Sequence, residues 1–170
     1  MDHITKPIRP IPVQRKMVVS QYFLTRMYFD QSPHDASEFY NFQSLDNVPD
    51  YSCKYDIDPE VEINFHRPPA TEEFEIIELP LVPSLYTLGK DDCLKLNPAR
   101  YDRVKKQISQ GILEYPWMTI SNGHVQLMDG RHRVVAMLKL LKRIRAPFIV
   151  EKKHILDVRS WLHKQDFSLQ

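Results

Sequence analysis

Asp129-Gly130-Arg131-His132-Arg133 concentrates more potential chemistry than any other run of five in this chain. Val134 to Leu141 follow it, apolar except for Lys139. The five residues therefore stand at the first turn of a helix over 131–142 that is apolar nearly all round and so buried on several sides. A helix amino end has unpaired N–H groups and the positive end of the dipole, which makes it an anion site. Gly130 permits a sharp turn and a close approach of a ligand to the backbone. Arg131 and Arg133 supply planar cationic forks suited to phosphate oxygens. His132 can donate a hydrogen bond or move a proton near neutral pH. Asp129 can hold Mg²⁺, orient an arginine or cap the helix. The competing reading is structural: a capped helix whose arginines pair with the acidic part of the chain.

The flanking pattern places this run in a fold. Phe74 to Leu79 reads as a strand ended by Pro80, and 80–99, with Pro83, Gly89 and Pro98, reads as a loop. Tyr101, Val104, Ile108 and Ile112 fall at helical spacing over 99–110, with Gly111 as the stop. Trp117–Ser121 and His124–Met128 flank Asn122-Gly123, the strongest short signal for a hairpin turn. Ala146–Val150 is a further strand, and 154–163 an amphipathic helix with Ile155, Val158, Trp161 and Leu162 on one side. From residue 74 the order is β-α-β-β-α-β-α, an α/β (α+β) small mixed sheet with helices. Upstream, 1–16 is a basic arm containing Pro7, Pro10 and Pro12. Met17–Phe29 is an apolar run that periodicity leaves open between strand and helix, and 30–70 is irregular. The expected division is an N-terminal arm and acidic extension, 1–70, and a candidate nucleotide-binding domain, 71–170.

This order and its motifs resemble the ParB/sulfiredoxin-like superfamily. The resemblance covers about residues 74–151. It rests on Val104–Gly111, Tyr115–Ile120, Asn122-Gly123, Val125–Met128, Asp129–Arg133 and Ala146–Val150. With Arg100-Tyr101-Asp102-Arg103 upstream, the motif is most similar to the plasmid fertility inhibition factor (Osa-like) branch. The resemblance implies a ParB/sulfiredoxin fold that binds ATP or another nucleoside triphosphate, with Mg²⁺, at Gly130, Arg131, His132 and Arg133. Asp129 and His132 would be the catalytic residues and Asp129 the metal ligand. Within that branch it implies ATPase or DNase activity and interference with plasmid conjugation through type IV secretion, in a bacterial, plasmid- or phage-encoded protein. The departures matter. The Glu-Arg-Arg version of the motif is absent, which argues against centromere binding and CTP-driven clamping. No Cys lies between 94 and 170, which removes sulfinic acid repair by a cysteine in the motif.

Charge is divided unevenly along the 170 residues. Residues 95–170 carry 15 Lys+Arg against 6 Asp+Glu, and residues 1–94 carry 8 against 16. The basic half suits phosphate or DNA. Lys139, Lys142, Arg143 and Arg145 form a cluster that either contacts nucleic-acid backbone or complements the helix carboxyl end. The acidic, aromatic stretch 30–78 is the candidate contact for a protein of a conjugation or type IV secretion apparatus. Its anchors would be Phe39, Tyr40, Phe42, Tyr51 and Tyr55. Alternatively these aromatics pack back onto the basic domain and complete its core. Cys53 and Cys93 have no CxxC partner and suit a reducing compartment. No apolar run approaches the length of a membrane span, and the amino end lacks a signal-peptide pattern. A cytoplasmic location is expected.

Two classes of function remain open at this point. One is an enzyme that hydrolyses or transfers a phosphoryl group, kinase chemistry included. Its second carboxylate would be sought among Glu114, Asp102 and Asp91-Asp92. The other is a non-catalytic, immunity-type inhibitor that keeps the fold and acts by occupying a protein partner.

Overall fold

The computed structural model describes residues 39–48, 57–67 and 73–168. The basic arm, the run Met17–Phe29, and Tyr51, Cys53 and Tyr55 lie outside the described residues. In chain order the elements are β1 (Tyr40–Asn41), a 3-10 turn (Leu45–Asn47), β2 (Asn64–His66), β3 (Phe74–Pro80), α1 (Leu81–Tyr86), β4 (Lys95–Leu96), α2 (Pro98–Ser109) and β5 (Ile112–Glu114). Then follow β6 (Trp117–Ser121), β7 (His124–Asp129), α3 (Arg131–Leu140), β8 (Arg145–Glu151), a second 3-10 turn (Lys152–His154) and α4 (Ile155–Ser168). This is a mixed α/β arrangement of four α-helices and small sheets among the described residues.

The main sheet has strand order β3-β8-β6-β7. β3 and β8 pair antiparallel along their whole lengths, from Phe74 opposite Glu151 to Pro80 opposite Arg145. β6 and β7 form the hairpin that Asn122-Gly123 implies, and both residues take positive φ, 51° and 76°. That backbone matches the right-handed twist of the strands it joins. β6 and β8 are parallel neighbours, so a tight turn cannot link them. The chain crosses between them through β7 and α3.

α3 is buried along Val134, Val135, Ala136 and Met137, each with no exposed surface. It packs on α1 and α2, while α4 covers β6, β7 and β8. The stretch 80–99, expected as a loop, contains α1 and β4. The reason is positional: Pro80 is the N-cap of α1 and Pro83 its third residue. A first-turn N–H has no helical partner, so proline there removes nothing.

The acidic stretch contributes structure wherever it is described. β1 pairs with β4 and β2 with β5. Tyr40, Phe42, Val48 and Ile63 are buried in the same core as Leu79, Tyr101 and Met137. Tyr40 and Phe42 therefore complete the core, and are not exposed anchors for a partner. A chain beginning at Ala70 loses these four side chains from the core, and loss of a single large buried side chain typically costs about 2–5 kcal/mol. The sum rivals the about 5–15 kcal/mol that holds a domain of this size together. Such a chain is expected to show no cooperative thermal transition by near-ultraviolet circular dichroism. A sharp transition close to that of the full chain would contradict this account.

Candidate functional site

β7 ends in an irregularity that shapes the site. Trp117 pairs with Asp129 and Met118 with Leu127, so Met128 has no opposite residue on β6. Successive strand residues normally point to opposite faces. A bulge breaks that alternation and re-aims the side chains around it. Leu127, Met128 and Asp129 consequently all line one cleft. Gly130 follows with φ 107° and is the N-cap of α3. A Cβ on Gly130 would sit 3.0 Å from the Cα and Cβ of Pro116. Both the backbone conformation and the close approach of the β5–β6 link therefore require glycine here.

The cleft has a volume of about 610 Å³, and Asp129, Gly130, Arg131, His132 and Arg133 all border it. α2 adds Arg100 and Arg103, and β5 adds Glu114. Four arginines thus face two carboxylates. No side chain among the described residues caps α3, and its first internal backbone bond runs from Val134 N–H to Gly130 C=O. The N–H groups of Arg131, His132 and Arg133 precede that bond and have no helical acceptor.

The two motif arginines occupy different environments. Arg133 is only 8% exposed. Its Nη1 donates to the carbonyls of Glu114 (3.0 Å) and Tyr115 (2.9 Å), and its Nη2 donates to Asp129 Oδ2 at 2.8 Å. Glu114 Oε2 lies 3.9 Å from Nη1. Its partners among the described residues are therefore β5, the β5–β6 link and the end of β7, and none of them belongs to the described part of the acidic extension. Arg131 is half-buried. Its Nη1 donates to the Lys95 carbonyl at 2.8 Å, while its Nε is enclosed without a partner. Burial lowers its pKa and nearby Asp92 opposes that shift. Arg103 is exposed and forms no ion pair among the described residues.

His132 is placed as an acceptor. The Asn97 N–H donates to its Nε2 at 2.8 Å. Asn97 is in turn the N-cap of α2, accepting from the Arg100 N–H at 2.9 Å. One imidazole thus joins the amino ends of α2 and α3. Burial, followed by the charges of Arg131, Arg100 and Arg133, pushes its pKa down from 6.5 to about 3. The ring is neutral at physiological pH, with its lone pair on Nε2 already engaged.

Among the described residues, no group of three or more His, Cys, Asp and Glu could hold a metal ion. Asp129 and Glu114 flank one guanidinium, which identifies Glu114 as the carboxylate beside Asp129. Lys139, Lys142, Arg143 and Arg145 do not border the cleft. They lie toward the far end of α3, whose ten residues span about 15 Å. Arg143 Nη2 contacts the Val61 carbonyl at 3.5 Å. Cys93 is a buried free thiol whose pKa is raised by burial. No helix among the described residues is long and apolar enough to cross a membrane. Comparison of the chain with protein-family models, curated proteins and solved structures finds no match.

Two outcomes follow from this geometry. Gly130→Ala places a side chain at φ 107° against Pro116, and is expected to lower stability by about 1–3 kcal/mol in urea denaturation. An unchanged urea midpoint would show that the turn relaxes without strain. The second concerns pH. The unfolded chain protonates His132 near pH 6.5 and the folded chain only near 3. Its contribution is therefore fully present above pH 6.5 and is lost as pH falls toward 3, at up to about 1.4 kcal/mol per pH unit. His132→Gln keeps an uncharged acceptor and should flatten the decline in stability between pH 7 and pH 4.5. Parallel pH profiles for the two proteins would rule out His132 as the titrating group.

Proposed function

We propose that this chain is a nucleotide-binding protein of the ParB/sulfiredoxin-like type, holding the phosphates of ATP or another nucleoside triphosphate at the amino end of α3. The observation that carries the reading is the convergence of Arg131, Arg100, Arg103 and the uncapped first turn of α3 on one open cleft. Aligned N–H groups and guanidinium forks are the donors that phosphate oxygens accept from. In this reading Arg131 and Arg103 contact phosphate. Arg133 and His132 act as positioning residues, because their polar atoms already hold Asp129, Glu114, Tyr115 and Asn97.

Asp129 and Glu114 fit a Mg²⁺ ion only in the manner usual for that ion, through one or two carboxylates plus the phosphates themselves. There it would neutralise phosphate charge. The Asp129 side chain is 64% exposed at the cleft and would be the group to orient an attacking water, were the ester hydrolysed. His132 is not available as the proton carrier, since its lone pair is engaged and its pKa lies near 3. Binding therefore stands ahead of hydrolysis as the function this geometry supports.

Titration calorimetry with ATP, with and without Mg²⁺, is the test. A charge-assisted contact is worth roughly 1.5–3 kcal/mol, so Arg131→Ala should weaken binding by about tenfold or more while the fold persists. Absence of triphosphate binding by the unmutated protein would refute the reading.

A further inference from the structure

We infer that the cleft carries a nucleobase subsite beside the phosphate subsite, with Phe39, Arg100 and Met128 forming the surface on which a base stacks. This rests on the phosphate-binding reading above and extends it to the part of the ligand that arginines alone would not require.

Three observations point there. First, the cleft wall is not uniformly cationic. Phe39, Leu88, Val104, Leu127 and Met128 border it together with the four arginines. Its volume of about 610 Å³ is in the range filled by a whole organic ligand. Second, the strand bulge presents an apolar side chain to this cleft. Met128 is 59% exposed, and of the large exposed hydrophobic residues described it is the one that borders the cleft. A flexible, polarizable thioether adapts to the face of an aromatic ligand. Third, the Arg100 guanidinium lies 6.0 Å from the centroid of the Phe39 ring. That pair offers both surfaces used for base stacking, an aromatic ring and a planar guanidinium. Phosphate oxygens gain nothing from Phe39 or Met128, whereas a heterocyclic base would bury both. Arg100 also connects the two subsites, since its charge acts on Arg131 and His132 at the first turn of α3.

The experiment compares ATP with inorganic tripolyphosphate by calorimetry at one Mg²⁺ concentration. Stacking of one base contributes roughly fivefold to a hundredfold in affinity, so ATP should bind at least about fivefold tighter than tripolyphosphate. Phe39→Ala and Met128→Ser should each reduce that preference and leave tripolyphosphate affinity unchanged. Where Phe39→Ala unfolds the chain, Met128→Ser decides the matter, because its 59% exposed side chain contributes little to the core. Equal affinity for ATP and tripolyphosphate overturns the base subsite and leaves the phosphate reading standing. Binding of neither overturns both.

Discussion

The buried guanidinium of Arg133 is the interaction on which the site depends. A buried charge is costly unless it is paired and hydrogen-bonded, and Arg133 meets both conditions with three hydrogen bonds to two separate segments. The carbonyls of Glu114 and Tyr115 lie where the chain passes from β5 to β6, and they accept from one nitrogen of the fork. Asp129 closes β7 and accepts from another. A lysine in this place would offer a point charge on a flexible stem and could not reproduce the fork. The guanidinium thereby fixes α3 against two strand ends, and it holds Gly130 close to Pro116. The cleft takes its form from that junction.

Helix geometry explains why the two motif arginines differ. Residues two apart on a helix do not face each other. Arg131 and Arg133 therefore cannot both turn the same way from the first turn of α3. Arg133 faces inward, toward the β5–β6 link. Arg131 points toward Lys95 and the cleft. His132, between them, points toward Asn97 and joins the amino ends of two helices. A pentapeptide that reads as one phosphate clamp thus resolves into one cation turned to the cleft and two residues that hold the scaffold.

Much of this was legible in the sequence, for physical reasons that can be named. Asn122-Gly123 implied its hairpin because few other pairs accept positive φ twice. The helical spacing of Tyr101, Val104 and Ile108 located α2, and the unbroken apolar run after Arg133 located α3. Short-range signals of this kind reflect local backbone preference. The features that were not legible depend on distant partners. α1 was hidden by prolines that usually mark loops, and β2 and β5 meet across more than forty residues of chain. The extrusion of Met128 leaves no mark in composition or periodicity. The role of His132 depends on an N–H thirty-five residues away, so its residue type alone suggested proton transfer where the structure uses an acceptor.

The same pairing determines the electrostatic character of the cleft. Asp129 and Glu114 are its two carboxylates among the described residues, and both lie beside Arg133. Their charge is therefore directed at the one arginine that is least accessible. Arg103 has no acidic partner among the described residues, Arg100 lies over Phe39, and the charge of Asp92 acts on Arg131 against the effect of burial. His132 adds no positive charge at neutral pH, which spares the first turn of α3 a further buried cation. Four arginines against two carboxylates leave the described lining of the cleft with an excess of positive charge, even though the whole chain carries a net charge of only +1. An anion is attracted by that local excess and not by the sum over the protein. Near-neutrality of the whole chain and a cationic cleft are compatible here because the two carboxylates of the described lining lie beside the buried Arg133, while Arg100 and Arg103 form no ion pair among the described residues.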